Sequence, residues 1–303
     1  MRAPETQSSM RFAVSSIQAL TIESESPLRE MYKLSPFVWR EDDGYHILIR
    51  AVPHSENAAE KIARIHYGRS QNGIMFTMEN EPVIAPGPND VDLDGCEDPS
   101  VAIADGTYYV YYSGWNEREK QGQLLLASGP SPRELQKCGV ALPATPHCKN
   151  PKEATIASAP DGSWRLFFEY ADNGASLIGV ADAPSPAGPW SVQRAPFDPR
   201  ADSWDNFHLS TGPICSGSDD SSVMFYNGAG RDADWRIGWI AFDRNYRRVI
   251  ARSIDPLIAP PAKRQGDARD IAFAASALEE DGSIRLYYSI ADQDMYCATL
   301  RRL

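Results

Sequence analysis

The feature that most limits the folds open to this chain is a repeat. Four segments share one pattern, Asp-Gly followed after a short spacer by an apolar or aromatic run. They are Asp43-Gly44 before Ile47-Leu48-Ile49, Asp105-Gly106 before Tyr108-Tyr109-Val110-Tyr111-Tyr112, Asp161-Gly162 before Leu166-Phe167-Phe168, and Asp281-Gly282 before Leu286-Tyr287-Tyr288. A degenerate fifth copy, Asp219-Asp220, precedes Val223-Met224-Phe225-Tyr226. Successive first aspartates lie 62, 56, 58 and 62 residues apart. Asp-Gly between β-prone runs is a hairpin signal, because both residues tolerate the positive φ of tight primed turns. A short apolar run also precedes each turn, such as Phe37-Val38-Trp39 or Val101-Ala102-Ile103, and one or two more follow it. Each unit therefore holds roughly four strands, the grammar of a propeller blade. Runs apolar at every position, as in Tyr108 to Tyr112, fit strands covered on both faces. A β-sandwich is the structural rival, and the near-constant spacing favours radial repetition. The expectation is an all-β chain: one five-bladed β-propeller over residues 31–303, after an N-terminal extension, residues 1–30, that packs against a neighbour or closes the ring.

Composition narrows the partners. At 42% hydrophobic, with 13 Tyr, 10 Phe and 7 Trp, the chain can bury a full core. No apolar stretch approaches the length of a membrane-spanning helix. A formal net charge of −11 argues against nucleic acid or an anionic membrane, since phosphate binding wants clustered Lys and Arg. Neutral, polar small molecules remain the natural partners, and a homo-oligomer stays open. Cys96, Cys138, Cys148, Cys215 and Cys297 form no C-x-x-C, and the five histidines show no paired metal spacing. Neither a metal nor another cofactor is expected. The thiols read as reduced, and Met1 to Leu28 lacks the apolar core of a signal peptide, so the expected location is cytoplasmic.

In a propeller, an axial pocket is lined by residues opening the first strand and closing the second strand of each blade. Eight positions past the aspartate turns lie Ser113, Glu169, Asn227 and Ser289, and Arg50 lies seven past Asp43. Before the turns come Ser35, Asp98, Lys152 with Glu153, and the segment His208-Leu209-Ser210-Thr211, with Asp270 somewhat further back in the fifth unit. Charged residues beside apolar strands are costly unless paired or functional. Asp98, in Gly95-Cys96-Glu97-Asp98-Pro99, reads either as a strand-entry turn or as a pocket carboxyl. Glu97 and Asp98 would point to different sides. Glu169 closes an apolar strand and reads either as a salt bridge to Lys152 or Arg50, or as a functional group. Together Asp98 and Glu169 supply what glycosidic cleavage requires, an acid for the leaving oxygen and a base for water. Trp115 is either a wall for a sugar ring or a packed Trp beside the solvated run Glu117 to Lys120.

These residues resemble a known family, family 130 of the glycoside hydrolases, the β-mannoside phosphorylases and β-mannosidases. The resemblance runs from about Tyr32 to Thr299 and is carried by Ser35-Pro36, Ile49-Arg50-Ala51-Val52, Gly95 to Pro99, Trp204 to Pro213, Val249 to Ser253 and Leu286 to Asp292. It implies a five-bladed propeller, with Asp98 as general acid acting through the sugar's 3-hydroxyl. Ser35, Arg50 and Asp292 fall at positions resembling sugar contacts. The chain departs from the phosphorylases in carrying Glu169 for an arginine, His208 for a lysine and Asn227 for a histidine, and Ser100 for the usual Arg. Losing those cations removes charge-assisted bonds to phosphate. The expected function is therefore inverting hydrolysis of β-mannosides, with Asp98 as acid and Glu169 as base. Ser35, Arg50, Glu97, Trp115, Lys152, Glu153, His208, Asn227, Asp270 and Asp292 are expected to contact substrate. A phosphorylase releasing mannose 1-phosphate, with Arg231 and Arg236 as substitute ligands, is the second reading, and a non-catalytic glycan-binding propeller the third.

Overall fold

The computed structural model describes residues 10–88, 90–216, 221–261 and 271–303. Asp219, Asp220 and Asp270, together with residues 1–9, lie outside the described residues. The chain is all-β. Its strands form successive antiparallel groups, each wound from an inner strand outwards.

The first sheet runs Tyr32–Glu41, Gly44–Val52, Arg64–Ser70 and Met75–Ile84, with Thr21–Glu23 added parallel at its outer edge. The second is Gly95–Ala104, Thr107–Asn116, Gln121–Gly129 and Gln136–Leu142. The third is Lys149–Ser158, Trp164–Asp172, Ala175–Ala183 and Ser191–Gln193. The fourth group is divided into two small sheets, one around His208–Ser210 and Asn227–Ala229, the other around Ile214–Ser216 and Ile240–Asp243. The last sheet is Ala272–Glu280, Ser283–Ile290 and Asp294–Arg302, completed by Phe12–Ala19 from the start of the chain. The segment expected as an extension thus supplies strands to both the first and the last sheet.

Packing explains this order. Five apolar clusters fill the spaces between consecutive sheets. Tyr67 and Trp39 meet Val110 and Tyr112 between the first and second. Leu124 and Leu126 meet Leu166 and Phe168 between the second and third. Phe167 and Val180 meet Tyr226 and Phe242 between the third and fourth, and Phe225 and Trp239 meet Leu286 and Tyr288 between the fourth and fifth. The last sheet returns to the first through Tyr287 and Cys297 against Ile47 and Phe76. A strand apolar at every position, such as Leu166-Phe167-Phe168, is thereby buried from both sides. The inner strands also touch in sequence, and the last touches the first.

The Asp-Gly copies do not all make the same turn. At Asp105-Gly106 and Asp281-Gly282 both residues have positive φ, 49° with 72° and 49° with 74°, as a type I′ hairpin requires. In the first copy Gly44 is already paired with Glu41, so Asp42-Asp43 form the loop. In the third the strands part between Ser158 and Trp164, and the Asp161 side chain accepts the Ser163 N–H at 3.0 Å.

Inner strands carry the feature that matters for the site. Register slips between Leu34 and Phe37, between Glu97 and Ser100, and between Lys152 and Thr155. Within each slip one non-glycine residue is left-handed: Ser35, Asp98 and Glu153, with φ of 53°, 51° and 52°. Such bulges re-aim a side chain that a regular strand would direct into the packing between sheets.

Candidate active site

The three re-aimed residues meet in one cavity of about 160 Å³ at the centre of the inner strands. Arg50, Glu97, Lys152, Glu169 and Asp292 also line it, as do Leu34, Trp235, Ile271, Phe273 and Ser289. Asp98 is 7% exposed and Glu169 3% exposed.

The Ser35 hydroxyl donates to Asp98 Oδ1 at 2.6 Å, and Arg50 Nη1 reaches the same oxygen at 3.4 Å. Arg50 Nη2 donates to Glu97 Oε1 at 2.8 Å, so one guanidinium spans both adjacent carboxylates. Lys152 Nζ lies 3.4 Å from Glu169 Oε1. Glu153 and Asp98 face this cavity from neighbouring inner strands. Burial would raise Asp98, but Arg50, the Ser35 hydroxyl and Lys152 outweigh it and hold this carboxyl below its ordinary value. Burial and the neighbouring Asp98 push Glu153 well above its own. Glu97 is raised by burial despite Arg50. Glu169 raises Lys152 against the effect of its burial.

The sequence positions eight past the turns have two distinct uses. Ser289 Oγ accepts the Ser35 N–H at 3.0 Å, Ser113 Oγ accepts the Glu153 N–H at 3.4 Å, and Asn227 Oδ1 accepts the Ala274 N–H at 2.7 Å. Each side chain clips the inner strand of the next sheet. Asn227 also donates to the Thr211 and Ala274 carbonyls at 2.6 and 3.3 Å, so its amide is occupied by backbone and lies outside the cavity lining. The sequence reading expects it at the substrate; here its amide serves the backbone. Trp115, also expected at the substrate, sits opposite Gly95, donates Nε1 to Glu117 at 2.9 Å, and does not line the cavity. His208 lies just outside, its ring 5.6 Å from Trp235, with Nδ1 accepting the Ser176 N–H at 3.1 Å. Burial lowers its pKa, and an accepting Nδ1 leaves the proton to Nε2. Arg231 stacks over Phe207 at 4.0 Å, and neither it nor Arg236 lines the cavity.

Trp235 and Phe273, which the sequence reading missed, form an edge-to-face pair 5.4 Å apart in the wall. The available signal was a lone aromatic in the charged run Arg231-Asp232-Ala233-Asp234-Trp235. A larger cavity of about 560 Å³ lies beside the third sheet, lined by Phe168, Tyr170, Trp190 and Phe197, and none of the clustered carboxylates faces it. Among the described residues Glu41, Asp43 and His46 are close enough to hold a metal ion. They sit at the first turn and are engaged with Trp39, Tyr67, Arg69 and Tyr108 instead.

Residues 12–125 match the family model described as β-1,4-mannooligosaccharide phosphorylase. A 1,2-β-oligomannan phosphorylase of Thermoanaerobacter sp. (strain X514) is 24% identical over 266 residues, 83% of this chain and 84% of that protein. Among solved structures, a β-1,2-mannobiose phosphorylase from Listeria innocua in complex with β-1,2-mannobiose superposes with a TM-score of 0.75 at 18% identity, covering 94% of this chain and 90% of that one. A structure from work describing glycoside hydrolases within family 130 that target β-1,2 mannosidic linkages in Candida mannan gives 0.73 at 21% identity, covering 89% and 84%. The family match over residues 12–125, the relative aligned over most of its length and the shared fold agree in what the chain is similar to: family 130 of the glycoside hydrolases.

Proposed function

We propose that this protein is an inverting glycosidase that hydrolyses β-linked mannosides, on a five-bladed propeller formed as one catalytic domain. Asp98 protonates the glycosidic oxygen and Glu169 takes the proton of the attacking water. The single observation that carries this reading is the charge of the cavity. Five carboxyl residues, Glu97, Asp98, Glu153, Glu169 and Asp292, line it against two cations, Arg50 and Lys152. Both cations already pair with carboxylates, Arg50 with Glu97 and Asp98, Lys152 with Glu169. A phosphate dianion would meet net negative charge there, whereas water needs only a base. Inversion fits two carboxyls carried by different sheets, because the water must stand between its base and the sugar. Trp235 and Phe273 offer apolar faces for a sugar ring.

Phosphorolysis is the second reading, favoured by the names of the curated relatives. One assay separates the two: product release from β-1,2- and β-1,4-mannobiose, with and without inorganic phosphate. Hydrolysis predicts free mannose at a rate indifferent to phosphate, abolished by Asp98→Asn. A strict phosphate requirement with mannose 1-phosphate as product would establish phosphorolysis. Binding without turnover, unchanged in Asp98→Asn, would leave a glycan-binding protein.

A further inference from the structure

We propose that Glu153 is a positioning residue that holds the proton Asp98 delivers, the two carboxyls forming a pair that shares one proton. This rests on the hydrolytic reading of the same site and adds to it the source of the proton. Asp98 and Glu153, both left-handed, line the same small cavity from neighbouring inner strands. Two ionised carboxylates there would repel and could not bond to one another, because each only accepts hydrogen bonds, so the pair keeps one proton. Surroundings decide which. Asp98 receives the Ser35 hydroxyl at 2.6 Å and faces the Arg50 guanidinium at 3.4 Å, donors that favour the anion. Lys152 extends to Glu169, and the Thr211 hydroxyl donates to the Glu153 carbonyl rather than to its carboxyl. The other charged groups facing the pair are Glu97, Glu169 and Asp292 on one side of the balance, Arg50 and Lys152 on the other. A second negative charge within the pair would meet an already acidic surround.

At rest Asp98 is therefore the carboxylate and Glu153 the acid. An ionised Asp98 cannot act as an acid until a proton reaches it. The Glu153 O–H bond breaks as an Asp98 O–H bond forms. That proton then passes towards the glycosidic oxygen while the bond from this oxygen to the anomeric carbon breaks. Water bonds to the carbon and loses a proton to Glu169. The cycle leaves Glu153 ionised and Glu169 protonated, and exchange of one proton through solvent restores both. The left-handed kinks at Asp98 and Glu153, on neighbouring inner strands, hold the carboxyls together.

Glu153→Gln keeps the size and can still donate to Asp98, but holds no transferable proton. We expect kcat on mannobiose to fall about 10²–10³-fold at neutral pH with little change in KM. The alkaline limb of kcat/KM should move to lower pH, where Asp98 binds a proton unaided, and part of the activity should return there. On a nitrophenyl β-mannoside, whose leaving group needs no proton, the loss should be at least tenfold smaller. An equal loss at every pH and on both substrates would reduce Glu153 to a structural role and overturn the proposal. Infrared spectroscopy decides it without turnover. Wild type at neutral pH should show a buried protonated carboxyl that disappears in Glu153→Gln and in Asp98→Asn, whose amide can donate to an ionised Glu153. No such band in wild type overturns the pair. A wild type that shows the band yet cleaves no β-mannoside instead fails the functional reading.

Discussion

Replacing Glu169 with Gln tests the hydrolytic chemistry most directly. The side chain is buried, and it pairs with Lys152 at 3.4 Å. At an effective dielectric of about 20 that contact is worth about 5 kcal/mol before screening. Lys152 leaves 43% of its side chain open to solvent, which brings the net contribution to about 1 kcal/mol. Gln keeps the shape and one accepting oxygen, so the fold should lose little. Removing a general base, by contrast, slows turnover about 10²–10⁴-fold, or about 3–5 kcal/mol in the barrier. The catalytic effect should therefore exceed the stability effect several-fold, and paired measurements of mannose release and urea unfolding resolve the two. Glu169→Ala with added azide sharpens the test. An anion small enough for the water position needs no base, and attack from the inverting face should give the α-mannosyl azide. Near wild-type hydrolysis by Glu169→Gln, with Asp98→Asn inactive, would refute Glu169 as the base.

Asp205 is fully buried and bonded to Arg200 at 3.0 Å, to the Tyr226 hydroxyl at 2.6 Å and to Arg252. Asp205→Ala strands the buried Arg252 guanidinium and should cost about 3–5 kcal/mol in urea unfolding. Burial would raise this carboxyl, but Arg252, Tyr226 and Arg200 hold it below its ordinary value. Its stabilisation is thus complete above the unfolded carboxylate range near pH 4 and is lost as pH falls through the depressed folded value. Asp205→Asn should flatten that acid limb, measurable by unfolding at a series of pH values. Deleting residues 1–20 removes the strand Phe12–Ala19, with Phe12 packed 5.4 Å from Phe225, and bares the edge of Asp294–Arg302. The truncated chain should melt at least about 5 °C lower and self-associate in light scattering. Asn227→Ala should cost about 2–4 kcal/mol, because the Ala274 N–H and Thr211 carbonyl lose their buried partner.

The all-β character and the order of strands were legible because their cause is local and repeated. An apolar run such as Tyr108 to Tyr112 has only one economical environment, between two sheets, and the structure buries Val110, Tyr111 and Tyr112 there. Turn chemistry was less legible. Asp43-Gly44 and Asp105-Gly106 look alike, yet Gly44 pairs within the sheet while Gly106 forms the turn. An Asp-Gly pair permits a primed turn without dictating one. The role of residues 12–23 stayed open between packing on a neighbour and closing the ring, because their partners lie at Asp294–Arg302 and Met75–Thr77 and no local pattern records pairing across the whole chain.

Asp98 and Glu169 were found as polar interruptions in apolar strands, but what separates them from their neighbours is backbone geometry. Repeat position brought Ser35, Asp98 and Glu153 to one pocket, but with no glycine to announce a left-handed kink, the backbone geometry that aims them was not readable from residue types. Glu153 in particular stood out only as one of two charges at a strand entrance. The repeat position near the end of each second strand makes the same point. Ser113, Asn227 and Ser289 each have an oxygen that can accept the N–H of the next inner strand, and each does so. Arg50, near the end of the first sheet's second strand, has no acceptor at all. It cannot close that clip, and its guanidinium turns instead to Glu97 and Asp98. Glu169 could accept an N–H, but Lys152 in the paired strand draws its carboxylate into the cavity. Position in the repeat therefore brings a side chain to the centre, and its hydrogen-bonding chemistry decides whether it fastens the next inner strand or faces the cavity.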